Sequence, residues 1–383
     1  MPHGPRYLVR VRTDSELYWS AHFFCGLYQL VERGLVQVKF TARLPLAPKE
    51  IFATAFEVTD LHSGAARKVA IDWRDNPDML CPNKLAACDV YFKRNIVPEI
   101  TYDVCPAEFR PKLRPAGLSF AVRTRLERPL WVQMIGGLCS KEEPILSRSP
   151  RQTLRRLYKV RRGPVNVRHF LRVEDFEINP RDEAGIDTAR NALLFQTRAY
   201  DPAESTFPQD TARVTEERAH IIRRLRAEFK DQFVGGFTRI PYAVETFPDC
   251  LADADSAQSS YARLVKSCRI CIYTRGLRNS PAFKLGEYLA SGRCILAERP
   301  RTLLPKPLIH GKHLLFFRTT DELVDQCRRL LQDEALQHRL SRGALDYYRD
   351  QVRPVRRVWT MLEESFAAAT NRVAADSHEA LAR

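Results

Sequence analysis

The chain has 383 residues, 44% hydrophobic and 28% charged, which is globular composition with enough length for two domains and unlike that of a disordered chain. A formal charge of +15 points to anionic partners, and no stretch reaches the apolar length that spans a bilayer. With ten scattered cysteines and no apolar signal region at the start, the expectation is a soluble cytoplasmic protein.

Residues 7–12 (YLVRVR) alternate as a strand, and Asp14 and Ser15 can cap the aromatic-rich helix that follows as far as Gly34. LVQVKFTAR is a second strand, so the chain opens as a βαβ unit. No G-x-G-x-x-G follows the first strand, which removes the usual dinucleotide signature. FEVTDLHSG and KVAIDWRD read as strands joined by a turn at His62, Ser63 and Gly64. DVYF is a short apolar strand that ends at Lys93, Arg94 and Asn95. Ligands of open α/β sheets gather at strand carboxyl ends, so Lys93 and Arg94 are candidates for an anionic contact; the alternative is a basic strand end in solvent.

Two apolar runs, RPAGLSFAVR and PLWVQMIGGLC, precede residues 151–172, which hold eight Lys/Arg and no acid. Such a surface attracts phosphate of lipid, nucleic acid or nucleotide, or is simply a solvated basic face. A polar segment over 174–190 marks a domain boundary, giving domains 1–185 and 186–365 and a polar tail, 366–383. The second domain opens with the strand LLFQT and Arg198 at its exit. An amphipathic helix over 215–229, the strand FVGGF and a long loop-like passage over 238–260 follow.

Residues 274–298 (TRGLRNSPAFKLGEYLASGRCILAE) then give a polar loop, a helix from Pro281, a stop at Gly292 and a strand. Lys284 and Glu287, three apart, share a face near the start of that helix. A helix start with Ser280 and Lys284 suits phosphate, and a carboxylate one turn on can accept from the two hydroxyls of a ribose. Together they describe a nucleoside diphosphate. Two further helices and a last one beyond Pro354 complete the chain. Cys268 and Cys271 form a lone C-x-x-C inside an apolar strand and read as buried thiols.

SPAFKLGEYLASGRCIL resembles the nucleotide-sugar signature of family 4 (group 1) glycosyltransferases of the GT-B fold. The family's run is Lys/Gly-x-x-Glu-x-hydrophobic-Ala-x-Gly-x-x-Ile/Val, with a further glutamate where this chain has Asn279. The resemblance implies an α/β fold of two Rossmann-like domains facing across a cleft, with the last helix crossing back to the first domain. It implies that Arg198, Arg275 and Lys284 stabilise a donor diphosphate, that Ser280 donates at the helix start and that Glu287 holds the ribose. Thr274 and Gly276 would let the backbone approach the donor, and Lys93 and Arg94 would face the acceptor or the donor phosphates.

Retention of anomeric configuration and a reaction without metal or other cofactor are likewise what the resemblance implies. Expected partners are a nucleotide sugar, a glycan or glycolipid acceptor and an anionic membrane surface, with no specific nucleic acid; cell-surface polysaccharide or glycolipid assembly is the expected setting. If a base is needed, His22, Asp72, Asp75 and His169 are the imaginable ones; His22, on an aromatic helix, reads first as a core histidine. Asp253, Ala254 and Asp255 form a D-x-D in a loop, where capping or solvation explains them. Two alternatives remain, a nucleotide-sugar epimerase of the same fold and a basic nucleic-acid-binding protein.

Overall fold

The structure is a computed structural model that describes residues 4–12, 17–41, 44, 52–123, 170–178, 189–253 and 257–367. The chain forms two compact units. The first comprises Met1–Arg172, Thr302–Pro305 and Arg353–Arg383, and the second Val173–Arg301 and Lys306–Val352. The passage between them therefore falls at Arg172, earlier than the polar segment suggested, and the last helix is part of the first unit. Val173–Phe176, a short helix (α4), belongs with the second unit, where the Phe176 carbonyl accepts from Ser291 Oγ at 2.9 Å.

The first unit holds six strands: β1 (Tyr7–Arg12), β2 (Val36–Thr41), β3 (Ala53–Asp60), β4 (Ala66–Asp72), β5 (Val90–Lys93) and β6 (Leu113–Pro115). Their order is β2-β1-β3-β4-β5-β6. β3 runs against its two neighbours and the remaining pairs are parallel. The β3–β4 turn is made by Asp60, whose carboxylate accepts from the His62 and Ser63 N–H groups at 2.9 and 3.2 Å. Among the described residues its helices are α1 (Leu17–Glu32), α2 (Pro82–Ala87), α3 (Pro98–Val104) and α11 (Pro354–Glu364).

α11 packs on α1, the arrangement implied by the resemblance for the final helix. The contact is close because position 26 is glycine: a Cβ there would lie 2.2 Å from the Pro354 carbonyl oxygen. Arg357 fastens the same helix to β6 by donating to the carbonyls of Pro115 and Ala116 at 2.8 and 2.9 Å.

The second unit has five strands, all parallel: β7 (Arg190–Thr197), β8 (Phe233–Phe237), β9 (Cys268–Tyr273), β10 (Cys294–Glu298) and β11 (Leu315–Phe317). Their order is β11-β10-β9-β7-β8. Counted within the unit this is 2-1-3-4-5, and the order reverses between β7 and β9. A crevice opens at the carboxyl ends of strands at such a reversal, so topology alone marks the exits of β7 and β9 as the place for a ligand.

Besides α4, the helices of this unit among the described residues are α5 (Pro208–Phe229), α6 (Pro241–Thr246), α7 (Gln258–Ser267), α8 (Phe283–Ala290), α9 (Thr320–Gln332) and α10 (Glu334–Tyr347). α5 starts seven residues before the amphipathic run, because Pro208 suits a helix's first turn. α6 breaks the passage expected as loop. α8 starts at Phe283, two residues past Pro281, since Ser280 is held extended before a proline and Ala282 is extended as well. The core beneath this sheet gathers Leu193, Phe195, Ile222, Leu225, Ile272 and Leu296. Cys268 and Cys271 are buried free thiols, as their place in a strand suggested.

Among the described residues, no helix is long and apolar enough to cross a membrane. The expected run over 129–139, most of the basic stretch (151–169), His169, Ala254, Asp255 and the tail from 368 lie outside the described residues.

Candidate functional site

Arg218 ties the exits of β7 and β9 together. It stands on the buried side of α5, 3% exposed, on the same stripe as Val214, Ile221 and Leu225. Its Nη1 donates to the Arg198 carbonyl at 2.9 Å, its Nη2 to the Arg275 carbonyl at 2.8 Å and its Nε to Thr274 Oγ1 at 3.2 Å. The guanidinium also lies 5.2 Å from the centre of the Tyr200 ring. One planar cation with several fixed donors thus sets both strand exits at once.

The loop after β9 is held as firmly. The Gly276 N–H donates to the Ser280 carbonyl at 2.9 Å, and a Cβ at 276 would meet Ser280 Oγ at 2.5 Å, so the loop closes only on glycine. Arg278 and Asn279 take left-handed backbone, with φ of 57° and 59°. Asn adopts this region more readily than most residues, which gives position 279 a backbone reason for departing from the family's glutamate. Asp210, on the first turn of α5, accepts from the Arg278 N–H at 2.7 Å and from Arg275 Nη1 at 3.0 Å. Burial pushes its carboxyl up, but these donors outweigh burial and hold it below the ordinary carboxylate range. Glu298, where β10 ends, accepts from the Arg275 N–H at 2.5 Å.

α8 begins where this loop ends. The Tyr273 hydroxyl accepts from the Ala282 N–H at 3.1 Å and so fixes the helix start against the end of β9. Lys284 is half-buried, with Nζ 3.5 Å from the centre of the Tyr261 ring. Burial pulls its ammonium down to about 8, against the opposing pull of Glu287, and Arg218 and Arg198 lower it further. Glu287 is 7% exposed, so it lies beneath the surface and not on an open helix face. Burial pushes its carboxyl up while the Lys284 charge pulls it down. Tyr261 and Tyr288 close the floor through hydroxyls 2.7 Å apart.

The structure thus brings Arg198, Thr274, Gly276, Ser280, Lys284 and Glu287 into one region of the second unit. Arg198 is exposed at the exit of β7, and its charge is felt at Lys284. Arg275 lies in the same loop, but its guanidinium turns to Asp210 and to Glu217, at 3.0 and 3.4 Å. In this arrangement it braces the loop instead of pointing to a phosphate.

Lys93 and Arg94 belong to the first unit and depart from expectation. Lys93 is 0% exposed; its ammonium donates to Asp72 Oδ2 at 3.1 Å and to the Met79 carbonyl at 2.9 Å. The same carboxylate oxygen accepts from the Tyr91 hydroxyl at 2.8 Å, and that hydroxyl accepts from the Cys81 N–H. Arg94 is 4% exposed, lies 2.8 Å from Asp75 Oδ1 and rests near the Trp19 ring. The basic strand end is therefore an interior ion-pair layer, because Asp72 ends the neighbouring strand β4 level with Lys93 and Asp75 follows just beyond it. Asp72 is consumed in that layer. His22 is buried against Phe120, ring centres 5.3 Å apart, as an aromatic helix suggested.

Arg218 escaped the sequence reading because RAHIIRRLR offers several equivalent arginines. The usable signal was its phase, an arginine in step with Val214, Ile221 and Leu225.

Residues 213–363 match the family model described as glycosyl transferase-like. No curated protein matches the chain. Among solved structures, HepE of Anabaena in complex with UDP aligns at 9% identity over 88% of each chain, with a TM-score of 0.34. Sucrose-phosphate synthase of Thermosynechococcus elongatus aligns at 12% identity over 74% of this chain and 76% of its own, TM-score 0.35. A glycosyltransferase of Rickettsia africae aligns at 11% identity over 74% and 78%, TM-score 0.35. The matched residues, which run from α5 into α11, resemble that family and include the motif at 280–296.

The interior placement of Lys93 has a direct consequence. Lys93→Met strands Asp72 in the core and should lower the free energy of unfolding by about 3–5 kcal/mol, measured by urea denaturation. A change within about 0.5 kcal/mol, typical of surface positions, would return Lys93 to the role of an accessible contact.

Proposed function

We propose that this protein transfers a glycosyl unit from a nucleoside diphosphate sugar to an acceptor hydroxyl. The observation that carries the proposal is the pairing of Lys284 and Glu287, one turn apart at the start of α8, where the strand order of the second unit reverses. A helix start, a cation and an exposed arginine converge on one anionic group; a buried carboxylate beside them accepts from paired hydroxyls.

The chemistry follows from charge. As the bond between the anomeric carbon and the donor phosphate oxygen breaks, its electron pair stays with the phosphate. Lys284 and Arg198 stabilise that growing charge, and the diphosphate in turn restores the full charge of Lys284. The acceptor oxygen forms the new bond to the anomeric carbon, and its proton passes to the departing phosphate. Independence from metal belongs to this reading because the cations of the chain do the neutralising, and retention belongs to it because the acceptor passes its proton to the departing phosphate and so attacks from the same face. Glu287 holds the ribose, the backbone at Thr274 and Gly276 borders the donor, and Ser280 stands at the loop's return to the helix.

The acceptor is a glycan or glycolipid in cell-surface assembly, reached from the cytoplasmic side of the membrane. The basic stretch at 151–172 supports this, since each Lys/Arg near an anionic surface contributes about 1 kcal/mol.

Glu287→Gln keeps the shape of the buried side chain and removes its charge. It should weaken binding of UDP, GDP or ADP, whichever the wild type takes, by about tenfold to a hundredfold, the range of a charged hydrogen bond. Thermal shift against the three diphosphates and their sugars measures this, and wild-type turnover should persist in EDTA. Undiminished nucleotide affinity in the variant would remove the ribose role.

Membrane association should appear in liposome flotation as binding to anionic vesicles that high salt abolishes. Equal binding to neutral and anionic vesicles, or none to either, would leave the basic stretch as a solvated face.

A further inference from the structure

Gln196 is a polar side chain without a structural task. It lies on β7, between β9 and β8 in the sheet of the second unit, two residues before Arg198, and is 1% exposed. Neither its amide nitrogen nor its amide oxygen has a hydrogen-bond partner among the described residues. A buried amide left so costs stability, because water satisfied it in the unfolded chain. Such a group persists where something else supplies the partner.

Its direction follows from the strand. Leu193 and Phe195 enter the core beneath α5, so alternation turns Leu194 and Gln196 to the opposite face of the sheet. On that face Leu194 is level with Cys271, two residues before the Tyr273 whose hydroxyl holds the start of α8. On the other side Gln196 is level with Gly236, which presents no side chain. Thr238, just past the end of β8, adds a third polar atom without a partner among the described residues, its Oγ1, at the neighbouring strand exit.

We infer that the Gln196 amide, with Thr238 beside it, is a recognition point for a neutral group of the donor that both donates and accepts hydrogen bonds. A primary amide offers two donors and an acceptor and carries no charge, so it does not compete with Lys284 and Arg198 for phosphate. The complementary chemistry is a nucleobase edge or a sugar hydroxyl. The inference rests on the nucleotide-sugar reading above and adds to it the residue that discriminates among donors. A site built to hydrogen-bond a polar group rejects analogues that lack it far more strongly than an apolar pocket does.

The test is Gln196→Met, nearly the same shape without the amide, with Gln196→Asn as the second variant, its amide withdrawn by one methylene. Melting of the ligand-free proteins is measured first. Calorimetric titration with UDP, GDP and ADP, and with the matching sugar nucleotides, follows. The expected result is a melting temperature of the methionine variant equal to or above wild type, with donor affinity at least tenfold lower in both variants. A loss already seen with the diphosphate assigns the amide to the base; a loss confined to the sugar nucleotide assigns it to the sugar. A melting temperature several degrees below wild type would show the amide serving the fold and overturn the inference. Unchanged affinity in both variants, with wild type binding normally, would overturn it and leave the donor reading standing. No binding by wild type would overturn both.

Discussion

The second unit depends on one buried guanidinium. Arg218 holds three groups at the exits of two adjacent strands, and no carboxylate is among the acceptors of its hydrogen bonds. Carbonyl and hydroxyl oxygens satisfy its donors without neutralising its charge. The strand exits where the sheet order reverses are therefore rigid and hold a buried cation between them, whose charge is also felt by the Glu298 carboxylate. A catalytic surface for phosphate needs both properties, since charge stabilisation is effective when the dipoles and cations are already in position.

Around that clamp the charges are sorted by depth. Asp210, Glu217 and Glu298 engage Arg275 and the loop backbone, while Arg198 lies exposed at the exit of β7 and its charge acts on Lys284. Lys284 lies over an aromatic ring and one turn from a buried carboxylate, so desolvation and attraction compete over its proton. The sign matters for function. A lysine drawn down to about 8 carries its charge at neutral pH and loses it as pH rises through that value; an incoming dianion would push the value back up. In the free protein the same depression means that stability from this group rises with pH between about 8 and the ordinary lysine value, because the unfolded chain binds more protons there.

The layout of the fold was legible in the sequence wherever the signal was local. Alternation marked β1, an apolar run marked β9, the His62–Gly64 turn marked the hairpin, and Ser291-Gly292 marked the end of α8. Lys284 and Glu287 were legible through their spacing. What stayed hidden depended on partners far along the chain. Nothing near Lys93 announces that Asp72 will reach it across neighbouring strands, so an interior ion pair read as an open basic end. The burial of Glu287 and the pairing of Arg275 with Asp210, 65 residues earlier, were hidden for the same reason. Gln196 gave no signal at all, since a polar residue near the end of a strand becomes notable only once its amide is seen to lack a partner among the described residues.

The central claim is that a nucleoside diphosphate binds beside Lys284 and restores its charge. Calorimetric titration at pH 8, repeated in buffers of different ionisation enthalpy, counts protons taken up on binding. With Lys284 drawn down to about 8, a fraction of a proton should enter per diphosphate bound, and Lys284→Arg, which cannot titrate there, should abolish the uptake while binding persists. Binding heats that are identical in every buffer, or proton uptake that survives Lys284→Arg, would contradict the claim.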